Sequence, residues 1–159
     1  MRDRGRPIRP SLMDRLVDMA PGEAADPPVG LAESRARFER SVLRDLEWLL
    51  NTRQTIEPAG RKSHPEVFRS LHNFGIPDVT SLSADSKESR SYLLERVREA
   101  IRIFEPRLQD LDVVAFPGED GTRSVRFRVE GTLVMQEDAE RIVFDTVLET
   151  TSGTFAVDS

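Results

Sequence analysis

Residues 101–130 read IRIFEPRLQDLDVVAFPGEDGTRSVRFRVE, and the hydrophobic period changes inside them. Up to Phe104 the apolar residues keep helical spacing: Leu93, Leu94, Val97, Ala100, Ile101 and Phe104 form one stripe. Beyond Leu111 the period drops to two. Val125, Phe127 and Val129 face one way, and Arg126, Arg128 and Glu130 the other. Pro106 stands between the two regimes and disfavours helical geometry at Glu105, so the helix must stop there. A helix that hands over to alternating strands is the signature of an α+β domain.

Downstream, LDVVAF is a short strand, and Pro117–Gly121 carries turn chemistry. SVRFRVE is extended by the apolar run Thr132–Met135. A polar loop over 136–140 follows, and then RIVFDTVLET, with Ile142, Phe144 and Leu148 on one face and Val143 and Val147 on the other. A short TFAV closes the chain. Sequential strands with short loops predict an antiparallel meander of three to four strands.

Upstream, residues 86–104 form the second of two main amphipathic helices, with Asp85 and Glu88 placed like a capping box. Tyr92 and Ile103 project from a different side. The first main helix covers 34–50, where Phe38, Val42, Leu46, Leu49 and Leu50 share a face and Trp48 lies off it. Between them, 51–85 is broken by Pro58, Gly60, Pro65, Gly75 and Pro77. A short helix over 66–73 is expected to end at Gly75. Residues 1–33 read as a mostly flexible segment with one short helix near 11–19, capped by Ser11 and carrying Leu12, Leu16 and Met19 on one face. Such a short helix needs a surface to dock on. Residues 34–159 are then a single domain, two helices packed on a small sheet.

Composition narrows the chemistry. The net charge of −5, from 23 basic and 28 acidic residues, argues against a general nucleic-acid binder. The absence of cysteine excludes disulfides and thiolate metal sites. No apolar run approaches the roughly 18 residues of a membrane span, and no signal-like apolar region follows the basic start, so a cytoplasmic location is expected. The nucleophile elbow, P-loop and dinucleotide fingerprints are missing. His64 and His72 are spaced unlike metal ligands, and no metal or cofactor is expected. Glu47, Glu105 and Asp145 are the carboxylates a glycosidase would need, but one Trp and one Tyr make a poor sugar cleft.

Two features read as adhesive. In an extended Phe104–Leu108 segment, Glu105 and Arg107 would point the same way, beside Pro106, and offer a carboxylate and a guanidinium to a partner. The alternative is an internal salt bridge that pins the joint. The strand at 141–150 is apolar on both faces. At a sheet edge it would accept a foreign strand; in a sheet centre it would be core.

The ordered segments SVLRDLEWLLNTR, SLHNFGIPDV, AIRIFEPRL, FRVEGTLV and VFDTVLETTSGTF, with PSLMDRL before them, resemble the TssE family of type VI secretion baseplate subunits. That family is a branch of the phage baseplate wedge proteins once labelled lysozyme-like. The resemblance implies a non-enzymatic assembly part in the cytoplasm, at a baseplate near the inner membrane. It implies docking on TssF and TssG through Glu105, Pro106 and Arg107. It also implies strand augmentation by the sheath subunits TssB and TssC, with Val143, Asp145 and Val147 on the accepting strand and TssK a further candidate partner. The alternatives are a peptidoglycan-cleaving glycosidase and the equivalent subunit of a phage-like contractile tail.

Overall fold

A computed structural model describes residues 7–17, 21–22, 28–54, 65–78, 86–117, 124–135, 138–149 and 154–158. Among these residues four α-helices precede four strands: α1 (Leu12–Leu16), α2 (Leu31–Asn51), α3 (Pro65–Arg69), α4 (Lys87–Phe104), β1 (Leu108–Pro117), β2 (Ser124–Met135), β3 (Asp138–Glu149) and β4 (Thr154–Asp158). The strands pair antiparallel in the order β1-β2-β3-β4, which is the expected meander. The α+β class and the two long helices on a small antiparallel sheet hold as read.

The sequence periods explain the packing. On α2, Val42, Leu46, Leu49 and Leu50 are buried; on α4, Leu93, Val97, Ala100 and Ile101. They close one core with Val113 of β1 and Phe127, Val129, Leu133 and Met135 of β2. Both helices therefore cover the same face of the sheet. The other face carries partly exposed Val114, Phe116, Val134 and Val143. Alternation in the strands separates these two sets residue by residue.

Several local details depart from expectation. The cap of α4 is Ser86, whose hydroxyl accepts from the Ser89 amide; Asp85 lies outside the described residues, as do His64 and Met19. The loop expected over 136–140 is shorter, because Asp138 already begins β3. Gly75 follows a 3-10 turn (Leu71–Asn73) with φ of +112°. Its positive φ serves a close approach to α2's exit. Ile76 donates to the Thr52 carbonyl at 2.9 Å, and Gln54 donates back to Ile76 at 2.8 Å. A Cβ on Gly75 would lie 2.2 Å from the Thr52 oxygen, so only glycine fits. In β1, a bulge between Gln109 and Asp112 puts Asp110 at φ +49°, a conformation that aspartate tolerates better than most side chains.

Candidate interaction site

The Glu105–Arg107 corner is a turn rather than the extended stretch expected above. Pro106 occupies its second position, where φ near −65° is already fixed, and the Leu108 amide closes it on the Glu105 carbonyl at 3.1 Å. The Arg107 carbonyl accepts from the Val134 amide at 2.9 Å, tying the corner to β2. Glu105 and Arg107 do meet, but by folding back on each other. The guanidinium donates to both carboxylate oxygens in a fork.

Glu105 is 3% exposed, so its carboxylate is not a free acceptor on the surface. Arg107 has three further neighbours, all on α2. It donates to Asp45 at 2.6 Å, reaches the Ser41 hydroxyl at 3.3 Å, and lies over the Phe38 ring. Burial alone would lower the Arg107 pKa; the bonds and charges of Glu105, then of Asp45, outweigh it and raise it. The internal salt bridge is thus real, and it leaves only part of Arg107 at the surface. Ser41 and Asp45 went unnoticed in the sequence. They stand four apart on α2, on one face, but nothing local says that an arginine more than 60 residues on will meet them.

The network continues outward. Ser41 donates to Asp14 at 2.7 Å, and Arg44 pairs with both Asp14 at 2.8 Å and Asp45 at 2.9 Å. Burial would push the Asp14 carboxyl up, yet hydrogen bonds from Ser11, Ser41 and Arg44 bring it down to about 2. Arg44 also lies over the Trp48 ring, 5.2 Å from its centroid. A single chain of charge-assisted bonds therefore runs from the N-terminal segment to the corner.

The strand read as adhesive is not an edge along its whole length. β3 sits between β2 and β4, and β4 pairs with it over Asp145–Glu149 only. Asp145 and Val147 are therefore inside the sheet, opposite Asp158 and Ala156. Val143 is not: residues 138–144 of β3 have no partner on the β4 side among the described residues. Val143 is also 44% exposed, so this strand is not covered on both faces as its composition suggested. By register, Val143, Asp145 and Val147 pair with Glu130, Arg128 and Arg126 of β2. The opposite side of the sheet differs. Arg98 of α4 donates to the outward Val113 carbonyl of β1 at 3.1 Å and approaches Asp112. A long cation on an edge carbonyl guards that edge.

The described residues contain no group of three or more metal-ligating side chains, and no helix among them is long and apolar enough to cross a membrane. Of the carboxylate candidates, Glu105 is locked to Arg107 and Glu47 faces solvent, while of Asp145 only the backbone is described.

No curated protein matches the chain. A solved chain from "The baseplate complex from the type VI secretion system" is similar at 19% identity and a TM-score of 0.48, covering 70% of this chain and 94% of that one. The profile of the family described as "Baseplate wedge protein gp25" matches residues 36–138, from the first long helix to the start of β3, and the chain belongs to that family.

Proposed function

We propose that this chain is a structural baseplate subunit of a type VI secretion system, of the TssE kind, which docks on TssF and TssG and starts the sheath by taking strands from TssB and TssC. It would act in the cytoplasm, at the baseplate. The observation that carries the reading is the half-open strand. Among the described residues, 138–144 of β3 have no strand neighbour on the β4 side, while Arg98 occupies the far edge. Main-chain groups left free along an edge supply affinity for an added strand, and exposed side chains such as Val143 supply register. The ordered segment resemblance favours the secretion system over a phage-like tail, and neighbouring genes decide between them.

Hydrogen exchange tests the strand-addition step. Adding TssB–TssC to the full chain is expected to slow exchange at residues 138–144. Unchanged exchange there, with the sheath subunits bound, overturns strand addition. Docking is tested by co-purification with TssF and TssG. Arg107→Lys keeps a cation beside Glu105 but loses the planar fork. It is expected to reduce recovery of both subunits while circular dichroism stays unchanged. A glycosidase reading has no support in the locked Glu105, and clearing of a cell-wall suspension that is lost in Glu105→Gln would reverse that judgement.

A further inference from the structure

The N-terminal segment is seated the wrong way round for a helix that merely completes a core. Its polar side faces inward: Ile8 donates its amide to Ser34 at 3.1 Å, and Asp14 is held by Ser41 and Arg44. Among the described residues before α2, Ile8 packs against the core. The apolar side chains of α1 face solvent instead, with Leu12 68% exposed and Leu16 70%, and Met13 and Val17 are exposed beside them. None of the five helical residues is buried. Trp48, 54% exposed, is linked to the same patch through Arg44, which touches both its ring and Asp14. Five large apolar side chains concentrated around one short segment exceed the scattered exposure normal on a monomer's surface.

We infer that α1 and Trp48 form a second docking surface, for an apolar ridge flanked by acidic side chains on the same partner that meets the Glu105–Arg107 corner. Two observations select this occupant. The first is continuity: the Asp14–Ser41–Arg44–Asp45–Arg107 chain joins patch and corner without interruption. The second is charge. Asp14, the acid on α1, is paired with Arg44, whereas Arg9, Arg15 and Arg40 are exposed, three cations against the exposed Glu47 next to Trp48. The rim is therefore net cationic and favours an acidic border on the partner. The segment is pre-positioned by its polar anchors, so docking costs little ordering entropy.

This inference rests on the proposed docking to TssF and TssG, and the experiment separates the two. Full-length wild type, Arg107→Lys and the double variant Leu12→Ser/Leu16→Ser are titrated onto immobilised TssF–TssG. The double variant removes no buried side chain, so its melting temperature should match wild type. Its affinity is expected to fall about tenfold or more, as for the loss of central apolar anchors. If wild type does not bind, the docking reading fails and takes this inference with it. If wild type binds, Arg107→Lys weakens binding and the double variant binds as wild type does, this inference alone fails. It is equally overturned if the double variant instead abolishes a wild-type dimer in sedimentation velocity. Loss of binding only to vesicles rich in anionic lipid would likewise assign the patch to a different occupant.

Discussion

At the scale of single residues, the corner and Gly75 carry opposite lessons. Gly75 is held at positive φ against the Thr52 carbonyl, so Gly75→Ala combines backbone strain with a clash against backbone. A cost above about 2 kcal/mol is expected in urea unfolding. Arg107 is a different case, because its removal strands a charge. Glu105 would stay buried with neither oxygen paired to a guanidinium, and Arg107→Ala should cost about 3 kcal/mol. Replacing both partners, Glu105→Leu with Arg107→Met, removes the desolvated charge together with its counter-ion and should cost clearly less than the single change. Equal losses in the single and double variants would mean that Arg107 stabilises through Asp45 and Phe38 rather than through Glu105. Loss of partner binding in Arg107→Ala alone is therefore weak proof of an interface, and the lysine variant is the cleaner probe.

At the scale of elements, α1 has a measurable electrostatic anchor. The Asp14 carboxyl titrates near 2 in the folded protein against an ordinary 3.8, so the unfolded chain takes up its proton first as pH falls. The anchor's contribution is whole above about pH 4 and disappears as pH drops from there towards 2. Urea midpoints of wild type and Asp14→Asn should differ by a constant amount from pH 7 to about 4 and converge below it. A gap that persists at pH 2 would show that Asp14 does not bind α1 through its charge. The same element shows what local sequence can and cannot disclose. The stripes of α2 and α4, the alternation of β2 and the stop at Pro106 were legible because each is a repeating pattern a few residues long. Ser11 as a cap was legible for the same reason. The direction in which α1 faces was not, since it depends on Ser41 and Arg44, some 30 residues away. Nor was the corner's closure, because alternation assumed an extended Glu105–Arg107 where Pro106 instead begins a turn. Among the described residues β4 pairs with only part of β3, and apolar composition does not encode that register.

At the scale of the molecule, the sheet is asymmetric in both directions. One face is sealed by α2 and α4, and the other leaves Val114, Phe116, Val134 and Val143 partly exposed. Across the strands, β1 is guarded, and among the described residues β3 has no neighbour on the β4 side over 138–144. A protein that adds strands on one side only can give an assembly a starting point and a direction, whereas two open edges would let copies of the chain stack on one another. Arg98 is the residue on which this asymmetry turns. Arg98→Ala frees the Val113 carbonyl and removes the cation beside Asp112, at a stability cost of about 1 kcal/mol. Its larger effect should be on association. Sedimentation velocity of the variant should show more concentration-dependent association than wild type, and hydrogen exchange should place the new protection on Leu108–Pro117. Protection of residues 138–144 by TssB–TssC should be the same in both proteins, because that edge lies on the other side of the sheet. A variant that stays monomeric at the same concentrations would mean that α4 itself, packed beside β1, closes that edge without the arginine.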